Sequence, residues 1–124
     1  MMTKDGQSMK KDNDAEFRFN ARGARVYSDP MRHKLLDIPK ITSRSQRGLV
    51  LNVLSVGKFW NPSIPTVTVD EHGTPILYRL PDWYLDWAET LQFMSSQGTN
   101  LFPSKVEFGY ITPDKQYYAE ILND

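Results

Sequence analysis

The pattern that most constrains the fold is one amphipathic helix lying between two hairpin patterns. Pro81 and Asp82 suit its start, because proline fits the first helical position and aspartate complements the helix dipole. Gly98 follows its end, where a glycine in the left-handed region commonly caps the last turn. The apolar stripe of this segment consists of Tyr84, Trp87, Ala88, Leu91 and Met94. This spacing predicts an amphipathic helix over about residues 81–97.

Alternating apolar residues on both sides of this helix predict two β-hairpins. The first covers about residues 66–80, with a longer turn at residues 70–73 in which Gly73 supplies a positive φ. The second covers about residues 105–122, and Pro113 and Asp114 suit a type I turn at its tip. The predicted core consists of Val67, Val69, Ile76, Tyr78, Trp87, Leu91, Val106, Phe108 and Ile121. We expect an α+β fold in which the helix covers one face of a small antiparallel sheet.

The first part of the chain gives weaker signals. Residues 1–15 are polar and mixed in charge, which predicts a flexible N-terminal arm before a single globular domain over residues 16–124. Phe17 and Phe19 alternate with polar residues, which favours an N-terminal edge strand. Residues 43–58 fit a helix that ends before Asn61-Pro62, or a doubly buried strand rich in valine. We favour the helix because of the length of the segment.

The composition excludes several kinds of chemistry. The chain has 124 residues, no cysteine and two histidines, so thiol catalysis, disulfides and cysteine-based zinc sites are ruled out. No apolar run approaches the roughly 20 residues of a membrane span, and no secretory signal is found at the start. We therefore expect no metal, no cofactor, no membrane contact and a location in the cytoplasm of a bacterial or host cell.

No catalytic constellation emerges from the spacing of the polar residues. Eight residues separate Gly48 from Gly57, which does not match a phosphate-binding P-loop. The carboxylates of Asp82 and Asp86 fall on one solvated helix side, and His72 falls in a hairpin tip without a nucleophile nearby. We expect a protein that is not an enzyme, with a hydrolase using these three residues as a minor alternative.

The distribution of charge separates the two parts of the chain. Residues 1–58 hold 12 basic and 6 acidic side chains, and residues 59–124 hold 3 basic and 9 acidic ones. Cations can neutralise phosphates and aromatic rings can stack on unpaired bases, which suggests nucleic-acid binding by the region 18–58. The candidate residues are Arg18, Arg22, Arg25, Arg44, Arg47, Phe17, Phe19 and Tyr27. The same arginines fit internal ion pairs with the acidic part equally well.

The aromatic content suggests a protein interface. Three tryptophans, six tyrosines and six phenylalanines exceed what one small core needs, and exposed Trp and Tyr are typical of interface hot spots. The candidate contact residues are Trp83, Tyr84, Tyr117, Tyr118 and Trp60. The leading expectation is a non-enzymatic protein-binding accessory protein, an adaptor, inhibitor or assembly component of the phage or mobile-element type. Its partner is another protein or, through the oppositely charged parts, a further copy of the chain, and nucleic-acid binding is the alternative.

Overall fold

The computed structural model describes residues 21–122 and contains a six-stranded mixed sheet with one helix packed against it. The strands are β1 (Lys40–Ile41), β2 (Leu49–Phe59), β3 (Ile64–Glu71), β4 (Thr74–Arg79), β5 (Ser104–Ile111) and β6 (Gln116–Leu122). The helix α1 (Leu85–Ser96) follows a 3₁₀ turn at Asp82–Tyr84, and a second 3₁₀ turn lies at Pro30–Arg32. The predicted α+β class is confirmed, whereas the arm predicted over residues 1–15 lies outside the described residues.

Four of the strands follow a Greek-key order. β2, β3 and β4 are consecutive antiparallel neighbours, and the connection through α1 brings β5 to the other side of β2. The spatial order β5-β2-β3-β4 is that of a Greek key. β6 pairs with β5 as a fifth strand, and the short β1 runs parallel to the end of β5, which makes the sheet mixed rather than antiparallel.

The helix predicted over residues 43–58 is wrong, because this segment contains most of the central strand β2. Residues 49–53 pair with β5 and residues 53–59 pair with β3, with a shift of register between Val53 and Ser55. Such a bulge bends a strand and increases its twist. Residues 55–59 are all buried. Valines suit a pleated strand that neighbours cover on both sides, so tertiary burial outweighs the length of the segment.

Both hairpins are present, with differences in their turns. The β3–β4 turn has two residues rather than the longer loop expected, and His72 and Gly73 both have positive φ, as type I′ turns require. In the β5–β6 turn the Lys115 amide donates to the Thr112 carbonyl oxygen at 3.3 Å, which fits the predicted type I turn. The predicted N-terminal edge strand begins outside the described residues, and residues 21–27 form no strand.

The core lies between α1 and one face of the sheet. Tyr84 is fully buried at its centre, and its hydroxyl donates to the Tyr118 carbonyl oxygen at 2.8 Å. Of the predicted core, Val67, Val69, Val106 and Phe108 are buried, and Ile76, Tyr78, Trp87, Leu91 and Ile121 are partly buried. At the end of α1, Gly98 has φ +93° and the Thr99 amide donates to the Met94 carbonyl oxygen, which confirms the predicted glycine cap.

A second cluster covers the opposite face of β3 and β4. Ala21, Ala24 and Val26 pack against Phe59 and Leu77 in this cluster. Further along the chain, Leu35 forms a parallel bridge with Arg79 at the outer edge of β4. The segment over residues 21–36 is therefore attached to the β3–β4 hairpin, and this attachment positions the candidate site. In the part of the chain that the structure describes, no helix has the length and apolarity to cross a membrane.

Candidate functional site

A pocket of about 340 Å³ lies between residues 25–34 and the β3–β4 hairpin. Its polar and aromatic lining residues, which define what we term the cationic pocket, are Arg25, Tyr27, Arg32, His33, Lys34, Glu71 and Tyr78. Three of these side chains carry a positive charge and one carries a negative charge. The volume lies within the range of natural small-ligand sites.

Tyr27 is the central ring of the cationic pocket. The Arg32 guanidinium carbon lies 3.8 Å from the centroid of the Tyr27 ring, and that of Arg25 lies 5.6 Å from it. Both distances are within the range of cation–π attraction. The 3₁₀ turn at Pro30–Arg32 brings Arg32 back towards Tyr27, and the Asp29 side chain stabilises this turn by accepting from the Met31 amide. The local fold therefore sets two arginines around one aromatic ring.

His33 fixes the floor of the pocket in its neutral form. Its Nε2 accepts a hydrogen bond from the Tyr27 amide at 3.0 Å, and its Nδ1 lies 3.3 Å from the Leu77 carbonyl oxygen. A ring that accepts at Nε2 carries its proton at Nδ1, where it can donate to that carbonyl. Burial, and then the nearby Arg79 and Arg32, lower the pKa of His33 below its ordinary value of 6.5. His33 thus links Tyr27 to β4 at neutral pH.

The opposite wall of the pocket consists of Tyr78 and Glu71. The Tyr78 hydroxyl donates to the Glu71 carboxylate, and this hydrogen bond is the main cause that raises the pKa of Tyr78 to about 12. The Tyr78 ring therefore remains uncharged at physiological pH. It offers an aromatic surface on the strand side of the pocket.

Within the described residues, the three cations of the pocket form no ion pair. In residues 21–122, Arg25, Arg32 and Lys34 have no carboxylate at ion-pair distance. By contrast, two cations of the first part of the chain pair with acidic residues of the second part, namely Arg44 with Glu120 and Lys58 with Glu89. The charge division seen in the sequence is thus partly compensated by these two ion pairs, and the three cations of the pocket take part in neither of them.

Arg44 lies in a different cluster on β5 and β6. Its guanidinium carbon lies 3.9 Å from the centroid of the Tyr118 ring, and it pairs with Glu120. The Tyr118 hydroxyl donates to Glu107 Oε2 at 2.6 Å, and the Gly48 amide donates to the same oxygen at 2.9 Å. These two hydrogen bonds are the largest causes that lower the pKa of Glu107. Burial and the bond to Glu107 raise the pKa of Tyr118 to about 12.

The residues predicted for nucleic-acid binding do not lie together in the structure. Arg25 and Tyr27 line the cationic pocket, while Arg22 is exposed at a turn before it. Arg44 belongs to the Tyr118 cluster, and Arg47 is exposed near Glu107. Phe17, Arg18 and Phe19 lie outside the described residues.

The residues predicted for a protein interface do not form one surface. Trp83 is 46% exposed and stands beside Tyr117, with 6.1 Å between ring centroids. Trp60 is 49% exposed and lies over the Lys58 ammonium group. Tyr84 is fully buried, so the structure corrects its placement on a contact surface, and Tyr118 is buried with Arg44 stacked on its ring. Tyr84 belongs to the predicted apolar stripe, and its hydroxyl can be buried with the ring because it donates to a backbone carbonyl oxygen inside the core.

The carboxylates of α1 and the hairpin-tip histidine lie apart. Asp82, Asp86 and His72 are all exposed, and Glu89 pairs with the buried Lys58 across the sheet–helix boundary. No group of three or more His, Asp or Glu side chains suited to hold a metal ion occurs within residues 21–122.

Sequence reasoning did not select five residues of the pocket, which are Arg32, His33, Lys34, Glu71 and Tyr78. The run Arg32-His33-Lys34, which begins two residues after the turn-forming Pro30, was a readable signal for the first three. Glu71 and Tyr78 had no such signal, because they reach the pocket only through the pairing of residues 34–36 with β4.

No protein-family model, curated protein or solved structure matches the chain.

Proposed function

We propose that the chain binds single-stranded nucleic acid at the cationic pocket. The single observation that carries the proposal is the convergence of Arg25 and Arg32 on the Tyr27 ring, with Lys34 lining the same pocket. Within the described residues, no carboxylate pairs with any of these three cations. Cations release counterions from phosphates, and aromatic faces stack on bases of any sequence.

The shape of the site favours single strands over duplexes. A concave pocket of about 340 Å³ admits a base that has been exposed from a strand, whereas the bases of a duplex remain stacked inside it. Tyr27 and Tyr78 supply rings on two sides of the pocket. Phosphates on either side of such a base can reach the arginines at the pocket rim.

The strand order supports the same proposal. The OB fold is a five-stranded, partly open Greek-key barrel that binds oligonucleotides on the face of its second and third strands. Counted from β2, the Greek key of this chain has β3 and β4 as its second and third strands, and the cationic pocket borders these two strands. The similarity is one of strand order, and a fold alone does not define a function.

The test is fluorescence anisotropy with a labelled single-stranded oligonucleotide of about 12 nucleotides, a length within known site sizes. We expect binding that weakens steeply with salt. The salt slope should decrease by about 0.7 for each phosphate that Arg25→Ala or Arg32→Ala no longer neutralises. Tyr27→Leu should lower the affinity about tenfold, because the bound base then loses one of its two stacking rings.

Arg47→Ala is the matched control, because Arg47 is an exposed arginine of the same basic region that lies outside the pocket. Its affinity and salt slope should equal those of the unmodified chain. Absence of binding to single-stranded DNA and RNA at low salt would overturn the proposal. Equal losses in Arg47→Ala and Arg25→Ala would do the same.

A second candidate function is a protein interface at Trp83. Trp83, Tyr117 and Tyr110 form a row of rings, with 4.6 Å between the centroids of the two tyrosines. Capture from a nuclease-treated lysate should lose its protein partner in Trp83→Ala. The control Phe93→Ala removes an equally apolar ring, 65% exposed on α1, and should retain the partner.

A further inference from the structure

The outer edge of β6 has no backbone partner among the described residues. β6 pairs with β5 through a continuous register from Lys105↔Leu122 to Ile111↔Gln116, and no strand lies on its other side. An open strand edge presents a row of N–H and C=O groups that can pair with another extended chain.

The other end of the sheet is protected from such pairing. At the edge of β4, the Arg79 amide donates to the Lys34 carbonyl oxygen and the Leu36 amide donates to the Arg79 carbonyl oxygen, both at 2.8 Å. Native edges are also blunted by lysine, proline or bulges. β6 contains no lysine, arginine or proline, and its register shows no bulge.

We propose that β6 pairs antiparallel with β6 of a second copy of this chain, about a two-fold axis at Ala119. In this register Tyr117 faces Ile121 of the second copy on the helix side of the sheet. Both residues are only partly buried in the single chain, so the pairing continues the apolar core across the axis. The small side chain of Ala119 then lies opposite Ala119 of the second copy, at the two-fold axis.

Charge complementarity on the opposite face favours this occupant over an unrelated peptide. The register places Glu120 of one copy across from Tyr118 of the other, and Arg44 already stacks on Tyr118 while contacting Glu120 of its own chain. Two arginines and two glutamates then alternate across the axis. This self-complementary arrangement is what a two-fold interface requires. The proposal rests neither on nucleic-acid binding nor on the protein interface proposed at Trp83.

The test is sedimentation of the full chain over a range of concentrations at low salt. The unmodified chain should form dimers, and its β6 amides should lose hydrogen-exchange protection on dilution. Arg44→Glu and Glu120→Arg should each be monomeric, because like charges then meet across the axis. Circular dichroism checks that both variants remain folded.

Mixing the two variants separates charges between chains from charges within one chain. Neither variant retains its internal ion pair, yet a mixture places the acidic variant opposite the basic one, so heterodimers should form only on mixing. A monomer at every concentration would overturn the proposal. So would dimers of the single variants, or protected β6 amides in a monomer that binds a peptide instead.

Discussion

Two arginine–tyrosine stacks have nearly the same geometry and lie towards opposite ends of the sheet. Arg32 lies 3.8 Å from the Tyr27 centroid near β4, and Arg44 lies 3.9 Å from the Tyr118 centroid on β6. In the second stack the arginine pairs with Glu120 of its own chain, and the tyrosine hydroxyl donates to Glu107. In the first stack, no carboxylate of the described residues pairs with the arginine.

The comparison shows that a stacked arginine is not by itself a binding group. Around Tyr118, Glu120 pairs with the arginine and Glu107 accepts from the tyrosine hydroxyl. The bond between Tyr118 and Glu107 links β6 to β5. Around Tyr27, the charge remains available and a pocket is open beside it. The surroundings of each pair, rather than the pair itself, separate a structural element from a candidate site.

The largest expected effect concerns the packing beneath Tyr118. A Cβ added at Gly109 would lie 2.4 Å from the Tyr118 ring, so Gly109→Ala should displace the ring and destabilise the fold by about 1–3 kcal/mol. Urea unfolding measures this change. In a Tyr118→Ala background the same substitution should cost little, because the clash is absent. An equal cost in both backgrounds would show that the glycine serves another purpose.

An intermediate effect is expected from removing the two hydroxyls. Tyr118→Phe should lower the free energy of unfolding by about 1 kcal/mol, since Glu107 loses a donor. Tyr27→Phe should stay within about 0.5 kcal/mol, because its hydroxyl bonds to no described residue. Thermal unfolding of both variants provides the measurement. Equal losses would remove the distinction between the two stacks.

The smallest expected effect is a difference in the pH at which the groups beside each stack, His33 and Glu107, cease to contribute to folding stability. The folded pKa of His33 lies below 6.5, so the unfolded chain binds this proton more tightly and stability should fall as the pH drops below 6.5. The folded pKa of Glu107 lies below 4.5, so its contribution should be lost only below that pH.

Denaturant midpoints between pH 8 and 4, compared with those of His33→Gln, measure the first of these losses. Fluorescence of the Tyr27 region should change in the same range, while the Tyr118 cluster stays intact. A flat stability profile down to pH 4.5 would contradict the neutral, hydrogen-bonded state of His33.

Local patterns predicted the helix, its glycine cap and both hairpins, because each depends on residues close together in the chain. Such patterns did not distinguish helix from strand for residues 43–58, because the valine-rich sequence fits both. Pairing with β3 and β5 makes this segment a strand. The site was predicted in part. Arg25 and Tyr27 were named from composition, whereas Tyr78 and Glu71 join them through contacts between segments some 50 residues apart in the chain.

By itself, the sequence determined that this cysteine-free chain is an α+β domain with a basic first part, since periodicity, turn residues and charge are local properties. Only the tertiary structure decided which basic side chains form ion pairs, because the carboxylates that pair with Arg44 and Lys58 lie 76 and 31 residues away. It likewise decided which tyrosines are buried and which strand edge stays open, since backbone pairing and burial depend on neighbours that are distant in the chain.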